Sequence, residues 1–197
     1  TRAARIASEE KGMLLVVSAG NDGNNDFKVL SAPADAKGVI TVGATNFKTW
    51  KKAIYSSIGP ESLGYMKPNI SCFASNGTSF SAPVITGMSA CIIQMDSTLT
   101  NSEILTIIEQ SAHIYPFGNN FIGYGVPSCE RAFELVKNRN QKIELEKEKR
   151  GVVSKKNKIE LQIPNSIKEL VLFHKSDSIN VLYQEKITSK DSIILFV

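Results

Sequence analysis

Ser79 follows Gly77-Thr78 at the point where the small, polar "SNGTS" gives way to the apolar "FSAPVITGMSACIIQM". A serine in the first turn of such a helix is held on a rigid element. The unpaired N–H groups and the positive end of the helix favour negative charge developing beside it. Such surroundings suit an acyl-transfer nucleophile. Gly77 lets the backbone approach a bound chain closely, and Pro83 fits an early helical turn because its missing N–H would have no partner there. Gly87 would let another group pack tightly against the same helix. Taken alone, the segment also fits a serine that merely caps a helix.

A hydroxyl is a weak nucleophile near neutral pH and needs a base, itself oriented by a carboxylate. The chain has 2 histidines, His113 and His174, both after Ser79. His113 falls at the end of a helical pattern and His174 in a β-rich tail, so both read as structural or surface residues. "GNDG", Gly20 to Gly23, reads by itself as a turn.

The elements that would position Ser79 are legible in outline. Residues 1 to 12 read as the end of a helix stopped by Gly12. "MLLVVS" and "GVITVG" are short apolar runs of the kind found in parallel strands covered on both faces. "AIYSS" is a third candidate strand. From Ser79 to about Met95 the pattern has no polar face, which places that helix in the middle of a fold. "TNSE", Thr100 to Glu103, predicts a capping box and a helix to about Ala112. Ser128 predicts a cap for a helix carrying Ala132, Phe133, Leu135 and Val136. The alternation of strands and helices implies an α/β core. After Lys137 comes a charged run, "KNRNQKIELEKEKRG", followed by "KIELQI", "ELVLFH", "INVLYQ" and "SIILFV", which predict a small β appendage beginning near residue 142.

Composition narrows the classes. At 197 residues the chain can bury a sizeable core, and 42% apolar content with 21% charged residues is ordinary for a globular protein. A net charge of +4 without a Lys/Arg stripe interleaved with aromatics gives no support for nucleic-acid binding. The longest apolar runs fall far short of the roughly 18 residues a membrane helix needs. The opening "TRAARIASEEKG" lacks the regions of a signal peptide. The 3 cysteines, Cys72, Cys91 and Cys129, form no metal-like pair, and Cys91 reads as a small core hydrophobe.

"GTSFSAP" resembles the nucleophile motif of the subtilisin-like serine proteases (subtilases, peptidase S8). Three more segments resemble the same family in the family's order: "VVSAGNDG" from Val16, "APADAKGVITVGAT" from Ala32, and "IYSSIGP" from Ile54. The resemblance covers Thr1 to Lys137 and fades in the tail. It implies a parallel-sheet subtilisin-like core, with residues 138–197 as a charged linker and a small β-rich appendage. It also implies a serine endopeptidase acting on polypeptides. Ser79 would be the nucleophile, and the Asn21 side-chain amide would join the Ser79 backbone N–H in an oxyanion hole. Ser18, Ala19 and Gly20 would line one wall of the pocket for the residue preceding the scissile bond, with Pro33 and Ala34 near its base.

In subtilases the catalytic order is Asp, His, Ser. The Asp- and His-bearing segments are therefore expected to lie outside this chain, leaving the core without its N-terminal half and the chain alone nearly inactive. No cofactor or metal is expected of this portion; the calcium sites of some relatives belong to the N-terminal half. Export, by secretion or to the cell envelope, follows from family habit alone. Two departures stand out. "KPNISCFASNGTS" has Asn69 where many relatives have Asp, and the loop before Gly77 is short. The competing expectation is a catalytically inactive subtilase-like domain that binds a peptide or partner, in which "GTSFSAP" is inherited scaffolding.

Overall fold

In Ile40–Thr45 every residue is buried, and its two faces differ in chemistry. Ile40 and Val42 point into an apolar cluster, while Thr41, Gly43 and Thr45 alternate with them on the other face. Loops packed on the polar side partner part of it and of the strand backbone, while Thr45 Oγ1 is buried without a hydrogen bond among the described residues. Thr41 Oγ1 donates to the Ala34 carbonyl at 2.6 Å, and Ser56 Oγ accepts from Ala44 N–H at 3.0 Å. The expectation of a strand covered on both sides holds, with hydroxyls and a glycine forming the second contact layer.

This strand, β2, is the middle of a parallel three-stranded sheet in the order β1-β2-β3, with β1 at Val16–Ser18 and β3 at Ile70–Phe73. The register pairs Val16 with Ile40 and Val42 with Ile70. Ahead of the sheet, α1 (Arg2–Arg5) continues as a wider π turn over Ile6–Glu10 and ends at Gly12, where φ is +65°. The long helix α2, Thr78–Met95, packs on all three strands. Behind it lie α3 (Asn101–Ser111) and α4 (Cys129–Lys137). Ile85, Met88 and Ile92 of α2, Ile104 and Ile108 of α3, and Ala132 and Val136 of α4 join the sheet residues in one cluster. The predicted caps are present: Thr100 and Glu103 form a reciprocal capping box, and Ser128 accepts from Arg131 N–H.

The computed structural model describes residues 1–139, 152–155, 158–162, 169–175, 179–188 and 192–196. The expected charged linker, beyond Arg139, lies outside the described residues up to Val152. The C-terminal strands are β4 (Val152–Lys155), β5 (Lys158–Gln162), β6 (Glu169–Lys175), β7 (Val181–Thr188) and β8 (Ser192–Phe196). They form an antiparallel β4-β5-β8 sheet and an antiparallel β6-β7 pair. This extension touches the core at Asn120, whose N–H donates to the Ile179 carbonyl at 3.0 Å while its Oδ1 accepts from Val181 N–H at 2.7 Å.

Three local expectations are corrected. "AIYSS" is not a strand, because its backbone bonds go to scattered loop partners rather than to one ladder: Ala53 N–H donates to the Ala44 carbonyl, Ser56 N–H to the Ala53 carbonyl and Ser57 N–H to the Gly20 carbonyl. Lys52 Nζ donates to the carbonyls of Ala53, Ile54 and Ser56, while the Ser56 and Ser57 hydroxyls accept from Ala44 and Asp22 N–H. The third strand is instead "ISCF", inside the segment that reads as a loop before Ser79. Cys91 is exposed, not a core residue, because α2 is covered on one side only.

Candidate active site

Parallel sheets place their functional loops at the carboxyl ends of the strands. Here β1 runs into Ala19-Gly20-Asn21, and β3 runs through a short loop into Gly77 and α2. Gly20 has φ +105°, a conformation that strains any residue with a Cβ. It turns the chain so that Asn21 faces the mouth of α2.

The Asn21 carboxamide oxygen accepts from Thr78 N–H at 2.9 Å and from Thr78 Oγ1 at 3.0 Å, across 57 positions of sequence. Because a backbone N–H only donates, the atom facing it is Oδ1, and the amide orientation is fixed. The Nδ2 amino group is thereby left as a donor, and no described residue accepts from it. A Cβ on Gly77 would lie 3.4 Å from Nδ2, so glycine keeps that donor uncovered. Thr78, fully buried, is the hinge of the arrangement, since its Oγ1 also accepts from Gly20 N–H at 3.2 Å. Its carbonyl accepts from Ser81 Oγ. The signal for Thr78 in the sequence is a hydroxyl one residue before the candidate nucleophile.

Ser79 is the second residue of α2 and is exposed. Among the described residues its hydroxyl makes no hydrogen bond. It opens on a groove of about 510 Å³ lined by Val16, Val17, Ser18, Ala82, Pro83 and Thr86, none of them titratable. Of the five residues expected to line a substrate pocket, Ser18 shares this groove with Ser79. Gly20 lies near the Ser31 hydroxyl, so its loop adjoins the 31–34 turn. Pro33 is at the surface, whereas Ala19 and Ala34 are almost wholly buried and act as packing beneath the two loops.

The histidines lie elsewhere. The His113 ring packs over the Gly125 backbone and edge-on to Trp50 at 4.8 Å, and its Nδ1 accepts from Val126 N–H at 2.8 Å. Burial lowers its pKa below 6.5. The Val126 N–H works in the same direction, because it needs Nδ1 unprotonated. His174 lies on β6, in register with Tyr183.

Under the 34–39 segment sits Lys67, only 2% exposed. Its ammonium donates to the Val39 carbonyl, Thr41 Oγ1 and Asn69 Oδ1 at 2.8, 2.9 and 3.0 Å. Asn69 Nδ2 passes the contact on to Glu109 Oε1 of α3 at 2.8 Å. Burial draws the Lys67 pKa down to about 8 and pushes the Glu109 carboxyl up. Where many relatives carry an aspartate beside the lysine, Asn69 relays to an acid on a neighbouring helix.

With this geometry in view, the comparisons with known proteins agree with one another. Residues 2–142 match the Subtilase family. The chain is 26% identical over 186 residues to the minor extracellular protease Epr of Bacillus subtilis, covering 86% of this chain and 28% of that protein. It is 32% identical over 100 residues to subtilisin-like protease 1 of Arthroderma otae, covering 47% of this chain and 20% of that one. The self-cleaved protease domain of PatA superposes with a TM-score of 0.55 at 22% identity, over 70% of this chain and 54% of that domain. The chain thus spans between about a fifth and about half of these relatives. On the match over residues 2–142, the chain belongs to the subtilase family.

Proposed function

We propose that this chain is the nucleophile-bearing part of a subtilisin-like serine endopeptidase. The observation that carries the reading is the Asn21–Thr78 contact, which sets a free amide donor beside the helix turn that holds Ser79. Ser79 Oγ attacks a peptide carbonyl, and the oxyanion that forms is met by Asn21 Nδ2 and the Ser79 backbone N–H. The hydroxyl proton passes to a histidine oriented by an aspartate. Those two groups come from outside these 197 residues, since both histidines here are placed elsewhere. Ser18, Gly20 and the 31–34 turn form the wall against which the residue before the scissile bond rests, with polypeptide as the substrate class. Secretion follows from the family and from the extracellular relative in Bacillus subtilis.

The chain by itself is then nearly inert, retaining only the help of the oxyanion hole and binding. A fluorophosphonate probe tests this. The expected result is negligible labelling of Ser79 in the 197-residue chain and rapid labelling in the polypeptide of the complete reading frame. Rapid stoichiometric labelling of the short chain would contradict it. The second reading, an inactive peptide- or partner-binding relative, is favoured by one observation: the lining of the groove beside Ser79 has no titratable group. It predicts no labelling of Ser79 in either form.

A further inference from the structure

A lysine ammonium is ordinarily left to solvent or paired with a carboxylate, and Lys52 does neither. Half-buried where the chain returns past the end of β2, its Nζ donates to the main-chain carbonyls of Ala53, Ile54 and Ser56 at 3.0, 3.2 and 2.9 Å. Among the described residues it forms no ion pair. An ammonium has three protons and no acceptor, so three carbonyls saturate it. Three carbonyl oxygens aimed at one point repel one another, and a cation between them offsets that repulsion. Burial draws the Lys52 pKa down to about 8, which leaves the group charged at neutral pH.

The turn so held is the surface on which the Asn21 loop is set. Ser57 N–H donates to the Gly20 carbonyl at 3.0 Å, Asp22 N–H to Ser57 Oγ at 3.0 Å, and Gly23 N–H to the Tyr55 carbonyl at 2.8 Å. The residues on both sides of Asn21 are thereby tied to residues 55–57. Gly23 fits there only without a side chain, since a Cβ would run into the carbonyls of Ser56 and Ile54, two of the three that Lys52 gathers. On its other side the turn is anchored to β2, with Ala53 N–H on the Ala44 carbonyl at 2.8 Å and Ala44 N–H on Ser56 Oγ at 3.0 Å. Lys52 thus fixes the shape of a turn whose position comes from the sheet and whose outer side carries the Asn21 loop.

We propose that Lys52 is a positioning residue for the oxyanion donor, its ammonium taking the place of a bound cation among three carbonyls and so holding the turn that sets Asn21 beside Ser79. The ammonium bonds neither Asn21 nor Ser79, so it acts through the turn alone. Its effect on turnover rests on the peptidase reading; its hold on the Asn21 loop does not.

Lys52→Met keeps the apolar stem and removes the three donors. In the 197-residue chain, hydrogen exchange at the Asp22 and Gly23 amides should quicken on the order of tenfold or more, while Val42 in β2 is unchanged. Lys48→Met, which removes the same charge from an exposed neighbour, should move none of these amides. In the polypeptide of the complete reading frame, Lys52→Met should lower kcat on a peptide substrate roughly tenfold to a hundredfold, with KM within about twofold of the parent. In an Asn21→Ala background the same substitution should lower kcat no further, because a group that works through Asn21 has nothing left to position. Unchanged exchange at Asp22 and Gly23 overturns the proposal, and so does a loss of kcat that adds in full to that of Asn21→Ala. Where the methionine variant does not fold, Lys52→Gln, whose amide keeps two donors without the charge, is read in the same way. A complete polypeptide without peptidase activity rejects the peptidase reading instead, and exchange at Asp22 and Gly23 then decides by itself whether Lys52 holds the loop.

Discussion

Asn21 divides its carboxamide between two tasks. The oxygen caps the mouth of α2 through Thr78 N–H, and the amino group, in the proposed function, is kept for the oxyanion. The division makes the two tasks separable by substitution. Asn21→Asp keeps an acceptor at a helix N-terminus and loses the donor, so urea unfolding should stay within about 0.5 kcal/mol of the parent. Asn21→Ala loses both and should cost about 1 kcal/mol. In the complete enzyme each should lower kcat by about 10²–10³, a size taken from subtilisin, itself a member of this family, and not an independent derivation. Equal stability of all three proteins would contradict the capping role. His113 supports a different prediction. Its folded pKa lies below 6.5, so between the two values the unfolded chain binds a proton that the folded chain refuses. Stability therefore falls as pH drops through 6.5 and levels off below the folded value. His113→Gln, which cannot titrate, should flatten that part of the stability–pH curve; an unchanged slope would count against the Val126 contact.

The elements were legible where side-chain pattern and backbone role coincide. "TNSE" states its own capping box, and Thr100→Ala should cost about 1 kcal/mol in thermal or urea unfolding. "GVITVG" becomes β2, although Thr41 is buried for a reason that no hydropathy pattern contains, namely its partners Ala34 and Asn69 from other segments. "AIYSS" has strand composition, yet its N–H groups bond the carbonyls of Ala44, Ala53 and Gly20 in turn, and Lys52 takes the carbonyls of Ala53 and Ser56, so no single neighbour runs beside it. "ISCF" is too short to announce itself; it is a strand because β2 lies beside it in parallel register. For α2 the absence of a polar face was readable, but which side would be covered depended on the sheet. At the candidate site, Ser79 and Asn21 stand out in the motifs, whereas the role of Thr78, which joins their loops, depends on the geometry.

At the scale of the molecule, a subtilase core with one open flank meets a β extension at a polar hub. Asn120 holds both sides, accepting from Val181 N–H while its Nδ2 donates to the Gly59 carbonyl. Asn120→Ala leaves a buried N–H without its partner, a loss of about 1–3 kcal/mol. Hydrogen exchange should then quicken at Val181, whose N–H loses its acceptor, more than at Gly59, whose N–H bonds the Asn120 backbone carbonyl that the substitution keeps; exchange at Val181 that does not quicken would mean that the extension is held by other contacts. The central claim is that one amide and one hydroxyl, brought together by Gly20 and Thr78, meet a single tetrahedral centre. The most direct test is a crystal structure of the complete polypeptide with an organophosphoryl adduct on Ser79. The account predicts an adduct oxygen about 2.7–3.1 Å from both Asn21 Nδ2 and the Ser79 backbone nitrogen. An adduct oxygen that points to solvent, with Asn21 Nδ2 bonded elsewhere, would contradict it.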